Sequence, residues 1–294
     1  MQAYFKQIDG YVQGTVWMSS RIRGLVSQMI AECVKEKAAW KLVKPHVESI
    51  VSQYIFPQMC FSEDDKELWE DNPVEYVQKK IDPLDDFGSS TVAASNLLID
   101  FAVDRKSATL SIILNFVNSI ITQYSQASEE TRNPQLIDGA LNMMGALCGP
   151  LCSRKSPIYS TLPDFLLTNV IPLFKSKYGF VRARALDVYC RYSSIEFSDK
   201  QVQQGVFEGV YGLLSDPELP VRVHAALALQ PMIENEDIRG LLQSHLPQVM
   251  QVFLNLTNEI DSDTITHVIE EFVEIFADQM APFAVQLAQQ LCDT

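Results

Sequence analysis

Val181-Arg182-Ala183-Arg184-Ala185 and Val221-Arg222-Val223-His224-Ala225 share a Val-Arg-x-x-Ala core, and their arginines lie 40 residues apart. That interval falls within the period of HEAT repeats, in which helix pairs stack so that each unit covers its neighbour's apolar face. Each copy follows a loop-like stretch, 175–179 and 215–220, and opens a helix whose Val and Ala face inward while Arg sits near the turn between units. Arg182 and Arg222 therefore read as equivalent structural residues at successive junctions, with Asp216 as a partner in the second copy. Ser176 stands where Asp216 would align, so an identical pair at both junctions is not expected. The spacing predicts an all-α, HEAT-repeat superhelical solenoid and argues against a globular enzyme core.

Helical patterning extends outward from this pair. Residues 136–147 resemble another second helix of a unit, and 263–276 place Ile265, Val268, Ile269, Phe272 and Phe276 on one face. First helices are expected at 164–174 and 245–256, where Pro172 and Pro247 either kink the helix or set its first turn. Residues 107–128 carry no charge and are long enough to cross a bilayer. Their Ser, Asn, Thr and Gln, with Leu110, Ile113, Leu114, Val117, Ile120, Ile121 and Tyr124 at helical spacing, favour a soluble amphipathic helix with one buried stripe. Asn133-Pro134, Ser156-Pro157, Asp216-Pro217 and Leu219-Pro220 mark turns. Strand patterns and long Gly/Ser linkers are missing, so residues 1–294 read as a single array of about seven units.

The composition fits a chain folded nearly throughout, with 47% hydrophobic residues, 20% charged, 12 Gly and 14 Pro. The net charge of −14 is unevenly spread: residues 63–86 hold ten acids and three lysines, residues 231–294 hold eleven acids against Arg239 alone, and residues 87–230 balance. Such fields repel nucleic-acid phosphate and anionic membrane and steer basic proteins inward. The opening ten residues are polar and mixed, unlike a secretory signal, which suggests an intracellular chain.

Catalytic chemistry is not signalled. Gly139, Gly145 and Gly149 match neither a dinucleotide fingerprint nor a Walker loop, and no nucleophile elbow or zinc-protease helix occurs. His46, His224, His245 and His267 are isolated from one another and read as structural. The six cysteines, at 33, 60, 148, 152, 190 and 292, read as buried thiols. Cys148 and Cys152 can meet across one helical turn, but the sequence supplies no further zinc ligands at suitable spacing, and Pro150 interrupts that turn. Asp64-Asp65 and Asp85-Asp86 would serve acid/base work only if one were buried. Neither a cofactor nor a metal is expected, and the chain reads as a non-enzyme. Asn255-Leu256-Thr257 matches a glycosylation sequon by chance in a helical setting.

The exception to the regular pattern is the acidic insertion at about 62–86. It contains Glu63-Asp64-Asp65-Lys66-Glu67-Leu68-Trp69-Glu70-Asp71 and follows the apolar run Ile55-Phe56-Pro57-Gln58-Met59-Cys60-Phe61. Glu63, Asp64, Asp65, Glu67, Glu70 and Asp71 are the candidate contacts for a basic partner. Trp69 either anchors the segment to the repeat face or stacks on that partner.

The order of several segments carries a resemblance. Trp40-Lys41-Leu42-Val43-Lys44-Pro45-His46 is followed by Ile55-Phe56-Pro57, then by Glu67-Leu68-Trp69-Glu70-Asp71-Asn72-Pro73-Val74-Glu75-Tyr76 and Asp138-Gly139-Ala140-Leu141. Tyr178-Gly179-Phe180-Val181-Arg182 and Leu219-Pro220-Val221-Arg222-Val223 complete the series. Across nearly the whole chain it resembles the importin-beta superfamily of karyopherins, most closely the importin seven and importin eight branch. A similar acidic Glu-Tyr segment occurs in the exportin that recycles importin alpha. The resemblance implies the middle of a nuclear transport receptor, cycling between nucleus and cytoplasm, that holds basic protein cargo such as ribosomal proteins or histones. It also implies Ran GTPase and nucleoporins as partners of the full-length receptor, through N-terminal repeats with no counterpart here. The rival readings are that exportin and a HEAT scaffold subunit of an unrelated signalling complex.

Overall fold

The computed structural model describes residues 2–81 and 89–280, and every regular element among them is helical. No described helix is long and apolar enough to cross a membrane. The chain has the all-α HEAT-repeat fold, and its residues fall into two compact units: 1–66 with 83–162, and 67–82 with 163–294.

In the first unit the helices Ser20–Lys35 and Ser90–Asp104 pack along their length. Each starts at a serine cap, Ser19 accepting from the Ile22 N–H and Ser89 from that of Val92, which satisfies one of the amide donors a helix start leaves open. Their apolar faces bury Ile30, Val34, Leu97, Leu98 and Phe101. Arg105 closes the far end of Ser20–Lys35. Its Nε donates to the Val34 carbonyl (2.7 Å) and its Nη2 to that of Lys35 (2.9 Å), while the guanidinium lies over the Trp40 ring. A cation is favoured there because the last carbonyls of a helix lack partners and carry the negative end of its dipole.

The uncharged stretch forms the helix Lys106–Gln126, which buries Leu110, Ile113, Val117 and Ile121 together with Thr109. Thr109 hides its hydroxyl by donating to the Phe101 carbonyl at 2.6 Å. Helix Pro134–Ala146 begins at Asn133, whose side chain accepts from the amides of Gln135 and Leu136. Gly139 in its middle lies so close to Phe56 and Cys60 that a Cβ would collide with both side chains. The glycine of the Asp138-Gly139-Ala140-Leu141 segment thus permits close packing of this helix on the run 55–61.

The second unit contains the two quoted repeats. Helices Gly179–Arg191, Leu219–Met232 and Asp263–Ile275 lie side by side in that order, and Lys200–Leu213 packs on the second of them. Val181, Ala185, Val221 and Ala225 are fully buried, as the Val-Arg-x-x-Ala pattern requires. The expected first helix at 164–174 is not one regular helix: Leu162–Phe165 is α, Leu166–Val170 a π turn, and Ile171–Lys175 a 3₁₀ turn opened by Pro172. Proline supplies no amide to the helical ladder, so the hydrogen-bond register changes around it. Pro247 does the other thing a proline can do, lying in the first turn of Leu246–Glu259.

The arginines perform equivalent work. Arg182 Nη1 donates to the Ser176 carbonyl and Arg222 Nη1 to that of Asp216, six residues back in each case. Each guanidinium also reaches forward to a carboxylate. Arg182 holds Asp216 through Nε (2.8 Å) and Nη2 (2.9 Å), and Arg222 holds Glu259 at 2.6 Å. The carboxylate of Asp216 therefore belongs to the preceding repeat and not to Arg222, to which it gives only its carbonyl. The reason is direction: both side chains bond their own entry loop through the backbone and the following loop through a carboxylate.

Within Leu219–Met232, His224 donates from Nδ1 to the Pro220 carbonyl at 2.8 Å. Burial pushes His224 below the ordinary imidazole value, outweighing the nearby Asp187 and the Pro220 carbonyl, which pull it up. Burial raises Asp187, but Arg191, Arg184 and His224 outweigh it and hold its carboxyl below the usual range.

Two predictions follow from this geometry. Arg182→Ala breaks a doubly bonded pair whose side chains are only 11% and 6% exposed, and should destabilise by about 3 kcal/mol. Arg222→Ala breaks a pair with a more exposed acid and should cost about 1 kcal/mol in denaturant titration. Equal losses would show that the forward carboxylate is not what distinguishes the junctions. The second prediction concerns acid. Both lowered values mean that the unfolded chain binds protons the folded chain refuses, so stability present at neutral pH falls on acidification. The His224 share goes as pH drops below about 6.5, and the Asp187 share only below about 4. His224→Gln should flatten the decline in melting temperature between about pH 7 and 5.5 and leave the later loss in place.

Candidate functional site

The acidic segment is built from two short helices, Glu63–Asp71 and Pro73–Ile81, each opened by a reciprocal cap. The Ser62 hydroxyl accepts from the Asp65 amide and the Asp65 carboxylate accepts from the Ser62 amide, both at 3.1 Å. Asn72 and Glu75 form a related arrangement, with Oδ1 accepting from the Glu75 amide and Nδ2 donating to its carboxylate. The first is a capping box, pairing two otherwise open amides with side chains three residues away; in the second the Glu75 carboxylate takes the Asn72 side-chain N–H instead of the backbone one. The sequence carried both signals, as Ser62-x-x-Asp65 and Asn72-x-x-Glu75. Lys79 lies 2.6 Å from Glu75 and holds its carboxyl below the usual value.

At 3.6 residues per turn, Glu70, Glu63, Glu67, Asp71 and Asp64 occupy an arc of about 120°, while Trp69 and Asp65 fall on the opposite side. The structure follows that division. Glu63, Asp64, Glu67, Glu70 and Asp71 are exposed, and none of the five has an ion-pair partner among the described residues. Asp65 is half-buried and engaged in its cap. The Asp85-Asp86 pair and the end of the acidic insertion lie outside the described residues.

Trp69 is 9% exposed. Its ring meets Tyr76 edge-on, with centroids 4.9 Å apart, and Tyr76 and Val77 are themselves buried. Helix Pro73–Ile81 packs on Leu219–Met232 within the second unit. Trp69 Nε1 donates to a carboxylate oxygen of Glu218, whose other oxygen accepts from Arg182 Nη2 at 3.0 Å. Gly179 lies beside that carboxylate, and a Cβ there would overlap it. Glu218 thus joins the acidic segment to the repeat junction. Sequence reasoning missed it, because a link between residues 149 apart leaves no local spacing.

The second acidic zone is different. Glu259 is held by Arg222, Asp237 by Lys200 at 2.6 Å, and Glu271 by Gln230 at 2.7 Å and by His267 at 3.3 Å. Glu236 faces Arg239 at 3.9 Å. These four carboxylates are engaged within the fold, whereas Glu234, Asp261, Asp263 and Glu274 are exposed.

The cysteines are less buried than their sequence setting suggested: Cys33, Cys60, Cys148, Cys152 and Cys190 are half-buried, and Cys292 lies outside the described residues. Among the described residues no group of three or more His, Cys, Asp or Glu is placed to hold a metal ion. His46 stacks on Phe5, the His245 ring lies tilted against Tyr211, and His267 is exposed.

Comparison with known proteins supplies the remaining observation. The Cse1 family profile matches residues 28–228. Among similar proteins, "Nonsense-mediated mRNA decay protein 5" of Saccharomyces cerevisiae is 33% identical over 297 residues, covering 99% of this chain and 28% of its own length. Importin-8 of Homo sapiens is 32% identical over 294 residues, with 99% and 28% covered. The "Importin beta-like SAD2 homolog" of Arabidopsis thaliana is 30% identical over 275 residues, with 94% and 27% covered. The chain thus spans little more than a quarter of the length of these relatives. With its stacked helix pairs, its arginine junctions and a profile match across most of its length, the chain belongs to the Cse1 family of importin-beta-like proteins.

Proposed function

We propose that the chain is a cargo-holding segment of a nuclear import receptor of the importin branch, which binds basic proteins in a Ran-dependent cycle. The observation that carries this reading is the unpartnered acidic arc of Glu63, Asp64, Glu67, Glu70 and Asp71, with Trp69 anchored on the opposite side. Helix stability does not account for that arc. Acids in the first turn favour a helix, but Glu70 and Asp71 stand in the last turn of Glu63–Asp71, where an anion opposes the dipole by about 0.3–1 kcal/mol each.

Lysine and arginine side chains of a basic protein would pair with this arc. The attraction reaches about one Debye length, roughly 10 Å at 0.1 M salt, so binding is salt-sensitive and guides encounter. Ribosomal proteins and histones have the matching charge. The names of the importin relatives support a transport role, and the same negative field disfavours nucleic acid and anionic membrane. Ran GTPase and nucleoporins are partners of the full-length receptor in this reading, nucleus and cytoplasm its locations, and no step of it requires catalysis or a cofactor.

Changing Glu63, Asp64, Glu67, Glu70 and Asp71 to their amides, with Asp65 left to its cap, should weaken binding of a histone-type basic domain about tenfold at low salt and flatten the salt dependence. The melting temperature should hold or rise slightly, because the unfavourable last-turn charges go. Unchanged affinity in a titration would refute the role and leave residues 231–294 as the acidic candidate. Trp69→Phe keeps an aromatic ring, smaller by the fused pyrrole, and removes the N–H donated to Glu218. It should cost about 1–2 kcal/mol of stability without altering which basic domain is preferred, and loss of binding at unchanged melting would instead make the indole a direct contact.

A further inference from the structure

We infer that Cys148 and Cys152, in the first unit, form a reversible dithiol–disulfide site that is oxidised by peroxide. Their sulfurs are in contact at 3.5 Å, and both residues are half-buried, so a small oxidant can reach them. They flank the single helical turn Cys148–Leu151, in which the Cys152 amide bonds back to the Cys148 carbonyl at 2.8 Å. Between them stand Gly149, around which a Cβ would meet nothing within 4 Å, and Pro150, which contributes no amide to the ladder. The exposed residues Ser153, Arg154 and Lys155 follow. Cys190, by contrast, sits against the Leu227 carbonyl with its thiol pushed up to about 11 by burial.

The geometry is close to what a disulfide needs. Helical residues four apart have Cα atoms about 6.2 Å apart, inside the roughly 4.4–6.8 Å window for a disulfide. The Cβ atoms must approach to about 4 Å, and the sulfurs to about 2.05 Å, which requires the turn to tighten or open locally. A glycine and a proline between the thiols make this the turn that resists least. No third metal-ligating group stands with them among the described residues, so the pair is suited to dithiol chemistry and not to a metal centre.

In the reaction one thiolate attacks the peroxide, forming an S–O bond as the O–O bond breaks and one water leaves. The second thiolate attacks that sulfur, the S–O bond breaks, the S–S bond forms, and a second water leaves. Two thiols and one hydrogen peroxide thus give one disulfide and two waters, and a dithiol reductant reverses it by exchange. The turn packs against Ser90–Asp104 and Pro134–Ala146 through the fully buried Leu151, so oxidation should loosen the first unit.

The test uses the full chain treated with hydrogen peroxide, then alkylated under denaturing conditions and digested with trypsin. The peptide 133–154 contains no cysteine other than this pair. It should emerge without alkyl groups and two hydrogens lighter, and should take two alkyl groups after reduction. In Cys148→Ser the remaining thiol should stop at an oxygen adduct. A peptide that is doubly alkylated at the same peroxide dose, or oxygenated without S–S formation, would overturn the proposal. Phenylarsine oxide gives a readout without oxidation: it should be retained by the parent chain and lost from Cys148→Ser and Cys152→Ser. Equal retention by all three would show that the two sulfurs do not act as a pair.

Discussion

The guanidinium of Arg182 holds the Ser176 carbonyl, both oxygens of Asp216 and one oxygen of Glu218, and through Glu218 it is joined to the indole of Trp69. A planar fork with several donors in fixed directions can satisfy all of these at once, which an ammonium on a flexible stem cannot. Burial makes the arrangement unforgiving, because a guanidinium or carboxylate withdrawn from water and then deprived of its partner costs several kcal/mol. The neighbouring residues reflect that constraint. Gly179 must lack a Cβ for Glu218 to approach, and Asp216 also caps its own loop by accepting from the Glu218 amide at 3.0 Å. The repeat junction and the acidic segment therefore share one set of charges.

Much of the fold was legible because HEAT packing writes itself into local spacing. The 40-residue interval between Arg182 and Arg222 and the buried Val and Ala around them need only the period of the repeat and the pitch of a helix. Asn133-Pro134 reads as a turn between helices, and in the structure Asn133 closes that turn as the cap of Pro134–Ala146. What spacing could not supply was the choice among partners. Asp216 was near Arg222 in sequence, yet its carboxylate turns to Arg182, because the repeat directs each guanidinium forward. The π and 3₁₀ turns at 166–175 likewise depend on how the chain settles around Pro172, and an apolar pattern does not encode them.

The candidate site was legible in composition and only partly in geometry. The acidic run singles out one segment as the candidate, and the period of the helix already separates Glu63, Asp64, Glu67, Glu70 and Asp71 from Trp69. Asp65 sits among its acidic neighbours in sequence but across the helix from them, where Ser62 engages it. Trp69 had two readings on sequence grounds. Its burial and its bond to Glu218 place it in the packing of the second unit, and no residue within that run could have announced the partner.

Formal charge is a poor guide to which acidic zone a partner would find. Residues 231–294 carry more net negative charge than 63–86, but part of that charge is engaged, since Glu259 and Asp237 each face a cation on another helix, while Glu271 accepts from the neutral Gln230 and Glu234, Asp261, Asp263 and Glu274 are exposed. A carboxylate paired inside the fold contributes mainly a short-range dipole, whereas an unpaired one keeps its full field out to about a Debye length. Binding a cation to the paired carboxylates Glu259 and Asp237 would require exchanging an existing contact, and the gain would be the difference between two similar interactions. Binding to the arc on Glu63–Asp71 would displace only water and counterions and would relieve repulsion among carboxylates on one side of a short helix. Anchoring by Trp69 matters for the same reason, since a helix already held in place need not be ordered again when a partner arrives, and more of the electrostatic attraction remains as affinity.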